Sequence, residues 1–273
     1  MDKLQEAIEL ARQSRRSANK ASQEEPIAAE VAGPSVDDKW SALPLFEPND
    51  KRLKGNRIVT YGANPLSAGF DVLRTKVILQ MRRNNWKRLA ITSPSPGCGK
   101  TTMACNIAAG LTRQPDIRAM LIELDLRRPS ISRVLGCKPD NCVHAVLSGE
   151  VPFSEQAVRL KSNVAISMSK KAYNDPTRVL LSQEASDILA AIEADYDPQI
   201  MIFDMPPLLT GDDTRAFLGK VDCVLLVAQA ERTTTQDIDV CEREIAEQTN
   251  MLGVVLNQCR FIEGVDDYGY DAY

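Results

Sequence analysis

From about Ile58 onward, short apolar runs alternate with stretches of helical periodicity. The runs RLAITS (88–93), RAMLIELD (118–125), VAISM (164–168), QIMIFDM (199–205), DCVLLVA (222–228) and LGVVLN (252–257) predict strands. Most are continuous and β-rich rather than alternating, as strands covered on both faces are. Between and around them, the spacing predicts helices over 66–84, 101–113, 176–195, 211–219 and 234–248. Strands and helices in turn predict an α/β fold, a mainly parallel sheet with helices on both faces. No repeat at a fixed period is visible.

Upstream of Ile58 the pattern changes. Leu4, Ile8 and Ala11 form a thin apolar stripe, which predicts a short helix over 3–16. Residues 17–50 carry Pro26, Pro34, Pro44 and Pro48 and few large apolar residues before Trp40, so they read as a mostly disordered linker. The expected organisation is therefore a helix and linker over 1–50, an α/β domain over 51–260 and a flexible acidic tail over 261–273.

Composition narrows the class. With 273 residues, 44% hydrophobic and 26% charged, the chain has material for a full core, and collagen-like, wholly disordered and disulfide-scaffold proteins drop out. No apolar run approaches the roughly 20 residues that cross a bilayer, and the start MDKLQEAIELARQSRR has no signal-peptide core. The expected location is the cytoplasm. Seven cysteines, an odd number without a C-x-x-C pair, suit a reducing compartment. Cys137, Cys142 and His144 are the one cluster suggestive of a metal; zinc spacing asks for another ligand pair, so they read as buried thiols and a helical histidine. His144 is also the only histidine, which leaves histidine-relayed hydrolase chemistry with little support.

The net charge of −4 conceals two opposed regions. Residues 61–180 sum to +10 and residues 181–273 to −14, while residues 1–60 sum to zero. The balance argues against a general nucleic-acid binder. A basic region and an acidic end on one chain instead suit head-to-tail association, weakened by salt.

The most informative chemistry lies in Ser93 to Thr102, SPSPGCGKTT, between a predicted strand and a predicted helix. That context identifies a Walker A phosphate loop, with Pro94 where the pattern asks for Gly. Gly97 and Gly99 let backbone N–H groups turn onto phosphate oxygens, Lys100 supplies charge to the β and γ phosphates, and Thr101 offers a hydroxyl to Mg²⁺. Two acidic strand ends complete the pattern. Asp204 ends IMIF before Met205-Pro206-Pro207 and occupies the Walker B position. Asp125 ends MLIEL, and alternation along the strand puts Glu123, Asp125 and Arg127 on one face. Three of the six tyrosines, Tyr268, Tyr270 and Tyr273, fall in the last six residues beside Asp266, Asp267 and Asp271. Core packing does not explain three rings in so acidic a segment.

With SPSPGCGKTT, LIELDLR, MIFDMPP and the tail YGYDAY in this order, the chain resembles the bacterial tyrosine kinases of capsule and exopolysaccharide systems, within the MinD/ParA-like P-loop class, over about residues 58–273. The resemblance implies an ATP-dependent protein-tyrosine autokinase that regulates polysaccharide polymerisation and export. It implies that Pro96, Gly97, Cys98, Gly99, Lys100, Thr101 and Thr102 cradle ATP, with Asn257 at the adenine base. Thr101, Asp125 and Asp204 would hold Mg²⁺, and Lys100, Glu123, Asp125, Arg127 and Asp204 would form the catalytic set. Tyr268, Tyr270 and Tyr273 would be the phosphoacceptors. Implied partners are a membrane co-polymerase-type adaptor that recruits the chain to the inner face of the membrane, further copies of the chain, and a tyrosine phosphatase, but no nucleic acid.

Three features depart from the family pattern. Glu123 stands where Asp is usual, Cys98 where many members have Glu, and the helix before the loop keeps Arg74 of E-x-x-R-x-x-R but has Ala68 and Asp71 at the other two places. Two other functions share the fold. A ParA/MinD-type switch ATPase carries an extra lysine early in the loop, where this chain has Ser95. A non-catalytic, nucleotide-binding regulator of polysaccharide export would tolerate the change at Glu123.

Overall fold

The computed structural model describes residues 33–62 and 64–260. The predicted helix over 3–16 and the three tail tyrosines lie outside the described residues. Seven strands form one sheet: β1 (Arg88–Thr92), β2 (Ala119–Glu123), β3 (Val158–Leu160), β4 (Val164–Ser167), β5 (Ile200–Asp204), β6 (Cys223–Gln229) and β7 (Asn250–Asn257). Their order is β3-β4-β2-β5-β1-β6-β7. Every pair is parallel except β3 with β4. The central strands are buried on both faces, which is why their sequences run apolar without alternation.

On one face lie α1 (Val36–Ala42), α6 (Val143–Leu147), α7 (Phe153–Gln156), α8 (Pro176–Leu181), α9 (Gln183–Tyr196), α10 (Asp213–Leu218) and α11 (Thr235–Ala246). On the other lie α2 (Asp50–Gly55), α3 (Ala68–Arg83), α4 (Lys100–Leu111) and α5 (Ile131–Leu135). Helix α4 is buried from Met103 to Leu111, and its small residues permit that depth. At Gly110 an added Cβ would lie 2.8 Å from the Arg74 guanidinium.

The linker expected through residue 50 is corrected by α1. Trp40 is 2% exposed, its indole N–H donates to the Tyr196 carbonyl at 2.7 Å, and Leu43 is buried in the same cluster. One aromatic anchor thus holds a segment that reads as polar. The next residues add a short extension to the sheet, with the Phe46 N–H donating to the Arg159 carbonyl and the Arg159 N–H to the Pro44 carbonyl, both at 2.8 Å. The single helix expected over 176–195 is two helices, because Ser182 leaves helical geometry and its hydroxyl caps α9 through the Ala185 N–H.

The carboxyl ends of β1, β2 and β5 lie side by side. Glu123 is in register with Asp204, and Asp204 with Ile91, so both acidic strand ends border the loop that follows β1. In open α/β sheets this crevice is where ligands bind.

Candidate functional site

The loop after β1 turns through Gly97 and Gly99, at φ +89° and +92°, conformations that L side chains rarely adopt. Gly99 is also crowded, since a Cβ there would sit 2.4 Å from the Asn257 side-chain nitrogen. Helix α4 begins directly afterwards at Lys100, so its unsatisfied N–H groups and positive dipole end face the turn. Pro96, Gly97 and Lys100 line a cavity of about 440 Å³, closed on its other sides by Asp125, Arg127, Arg128, Ser130, Arg133, Pro206, Pro207, Thr210 and Asp213. Thr101 and Thr102 are half-buried on the first turn of α4.

Lys100 Nζ lies 3.0 Å from Asp125 Oδ2, both side chains being largely buried. Asp204 is fully buried and neither of its carboxylate oxygens has a hydrogen-bond partner. Burial raises its carboxyl to about 7 against the pull of the Lys100 charge and of the nearby Thr101 hydroxyl, with Glu123 and Asp125 adding to the rise. An unpartnered buried carboxylate is costly, and a divalent cation or its water shell would relieve that cost. Thr101, Asp125 and Asp204 therefore fit Mg²⁺ as a donor set.

The structure corrects the expectation for Glu123. Its Oε1 accepts from the N–H of Ser130 at 2.5 Å and of Ile131 at 2.7 Å, and its Oε2 from the N–H of Ser169 at 2.8 Å. It is fully buried and does not line the cavity. Burial nevertheless pushes its carboxyl up from the usual carboxylate range, against the pull of those three amides and with Asp125 assisting the rise. Alternation along a strand set its face correctly, but the extra methylene carries the carboxylate past the rim to the first amides of α5.

Arg127 lines the cavity and makes a two-pronged pair with the buried Asp213, at 2.6 and 3.0 Å. The Asp213 Oδ1 also accepts from the Thr177 hydroxyl at 2.6 Å. This pair joins the end of β2 to α10 across 86 positions, and no local sequence signal announces it. Asn257 donates to the Cys98 carbonyl at 2.8 Å and Gln258 to the Gly97 carbonyl at 2.8 Å, so here the end of β7 clasps the phosphate loop from outside. Cys98 points inward, fully buried, with its thiol on the Ser95 carbonyl at 3.1 Å. Arg74 is held within the chain by Asp71, at 2.6 Å, and by the Gly110 carbonyl. Cys142 is buried and His144 stacks on Tyr173 at 4.2 Å; among the described residues no three His, Cys, Asp or Glu side chains come together as a metal site.

The Asp204 value has a measurable consequence. A carboxyl whose folded value is raised from 3.8 to about 7 stabilises the fold fully below its ordinary value and loses that contribution as pH rises through about 7. Without nucleotide or magnesium, the Asp204 contribution to the melting temperature is expected to fall between about pH 4 and about pH 7 and to level off above that, and Asp204→Asn to remove this slope. An unchanged profile in Asp204→Asn would count against the buried, unpartnered carboxylate.

The family model described as ParA, NUBPL iron-transfer P-loop NTPase, matches residues 85–267. The tyrosine-protein kinase Wzc of Salmonella typhimurium is 26% identical over an alignment covering 92% of this chain and 36% of its own length. The chain thus spans about a third of Wzc. The tyrosine-protein kinase YwqD of Bacillus subtilis is 26% identical over 84% of this chain and 96% of its own. Among solved structures, the VpsO kinase domain superposes with a TM-score of 0.63 at 25% identity, covering 77% of this chain and 98% of that one.

Proposed function

The chain belongs to the ParA-type P-loop NTPases, matched over residues 85–267, and from that premise we propose that it is an ATP-dependent protein-tyrosine autokinase acting on Tyr268, Tyr270 and Tyr273. One observation carries the activity: the phosphate loop and the Lys100–Asp125 pair line one cavity, and the buried, unpartnered Asp204 ends the strand beside that loop. The likeness to chains named as tyrosine kinases, one of them over 96% of its length, selects tyrosine as acceptor.

In this reaction the phenolic oxygen of a tail tyrosine forms a bond to the γ-phosphorus of ATP as the bond to the β,γ-bridging oxygen breaks, releasing ADP. The amides of Gly97 to Thr101 and the Lys100 ammonium hold the phosphates and meet the charge that develops on them. Bound Mg²⁺, held by Thr101 and Asp204 with Asp125, would neutralise phosphate charge. Asp125, the carboxylate that lines the cavity beside Lys100, is placed to accept the phenolic proton. Glu123 is held away from that role by its three amides. Arg127, fixed by Asp213, shapes the cavity wall.

In the cell this chemistry would regulate capsule or exopolysaccharide polymerisation and export. It would act on homo-oligomers recruited to the inner face of the membrane by a co-polymerase-type adaptor, with a tyrosine phosphatase resetting the tail. Incubation with ATP and Mg²⁺ is expected to yield phosphotyrosine, and replacing Tyr268, Tyr270 and Tyr273 together by Phe to lower it at least about ten-fold. Undiminished label in the triple variant would refute the tail as acceptor. The absence of label in the wild type, with adaptor supplied, would favour the non-catalytic regulator.

A further inference from the structure

The phosphate loop meets the end of β7 through two of its carbonyls. Asn257 Nδ2 donates to the Cys98 carbonyl and Gln258 Nε2 to the Gly97 carbonyl, each at 2.8 Å. The approach is close, since a Cβ on Gly99 would fall 2.4 Å from the Asn257 nitrogen and 3.7 Å from that of Gln258. Both donors are themselves fixed. Asn257 pairs with Gln229 of β6, and its carbonyl accepts from the Ala230 N–H at 2.9 Å. Gln229 Nε2 donates to Gln258 Oε1 at 3.0 Å, so the Gln258 amide has one orientation, its oxygen to Gln229 and its NH₂ to Gly97.

A trans peptide is planar, with its C=O and N–H pointing in opposite directions. A carbonyl held towards β7 therefore turns the next residue's N–H away from it, so Gln258 sets the amide of Cys98 and Asn257 that of Gly99. Sheet order puts β7 to one side of β1, beyond β6, and β5 and β2 to the other. The cavity lies on that other side, because Asp125, which lines it, follows β2, and Pro206 and Pro207, which also line it, follow β5. Both amides are thus directed to the side on which phosphate would be held.

We propose that Asn257 and Gln258 are positioning residues of the phosphate site, holding the Cys98 and Gly99 amides towards the phosphate chain of the ligand; this rests on the reading of the loop as a nucleotide site. Gly97 and Gly99, at φ +89° and +92°, have no side chains with which to fix the loop, and glycine has other backbone conformations at little cost. The two side-chain amides remove those alternatives before the ligand arrives. A donor set fixed in advance binds without the cost of ordering it. Asn257, expected at the adenine base, acts in this way on the phosphates, whatever base they carry.

The test compares the full chain with its Asn257→Ala and Gln258→Ala variants, titrated calorimetrically with ATP and with inorganic tripolyphosphate, each with Mg²⁺. Tripolyphosphate carries the phosphates without a base. Each variant is expected to bind both ligands about three- to ten-fold more weakly, by the same factor for the two, at an unchanged urea midpoint. In nitrogen-15 spectra of the nucleotide-free chains, the Cys98 and Gly99 amide signals should be sharp in the wild type and shifted or broadened in either variant. A loss confined to ATP overturns the proposal in favour of a base contact, and unchanged affinity for both ligands overturns it outright. A wild type that binds neither ligand overturns the nucleotide reading and the positioning role with it. A wild type that binds both and loses both in the variants, yet forms no phosphotyrosine, overturns the kinase reading and leaves the positioning role in place.

Discussion

Lys100→Met is expected to lower ATP-dependent phosphotyrosine by about 10²–10³-fold, the range for removing one charged donor from a preorganised oxyanion site. The residue acts at two places. At the head of α4, with its ammonium 3.0 Å from Asp125, it is the charge on the floor of the cavity. Within the rim it is also the cation that draws Asp204 down towards ionisation. Met retains most of the side-chain volume, so the loss is electrostatic rather than a cavity. Two readings separate it from misfolding. The far-ultraviolet spectrum should be unchanged, and the pH at which the nucleotide-free protein loses stability should rise above about 7, because Asp204 then titrates without its cation. Wild-type labelling by Lys100→Met would remove the phosphate loop from the reaction.

The sheet was legible in the sequence because each central strand is buried on both faces and therefore written as an unbroken apolar run. The phosphate loop was legible because glycine, lysine and threonine are each required by backbone geometry or charge at a fixed spacing. What escaped was structure held by single contacts at long range. Strand β3 has three residues and an arginine in the middle, and α1 is anchored by Trp40 in a stretch otherwise rich in charge and proline. Arg127 could be placed on the correct face, yet its partner Asp213 lies in a different βα connection. Asn257 ends a strand as expected, but β7 is a half-exposed edge strand rather than a buried one, and the Asn257 amide bonds to the loop carbonyl of Cys98. Pattern reports which way a side chain leaves the backbone; it does not report what stands within reach.

Glu123 shows that difference most sharply, and Glu123→Gln is expected to cost about 2–4 kcal/mol of folding stability. Helix α5 is only five residues long, and Ser130 at its N-cap makes no capping bond of its own. The Ser130 hydroxyl lies 3.3 Å from the Thr101 hydroxyl instead. The Glu123 carboxylate supplies the missing cap from below, taking the N–H groups of Ser130 and Ile131 on one oxygen and that of Ser169 on the other. A glutamine has one acceptor oxygen, so its NH₂ must face at least one of these donors, buried away from water. Asp is the usual residue here in the resembling kinases, and Glu123→Asp would withdraw the carboxylate by one methylene and lose part of the same stabilisation. The measurement is the urea midpoint at constant m-value, set beside the phosphorylation rate of the folded fraction. A catalytic base would leave the midpoint in place and lower the rate by 10² or more, on the order expected for lost acid–base catalysis. A cap for α5 moves the midpoint first, and disturbs the rate only as far as Ser130 is released from Thr101.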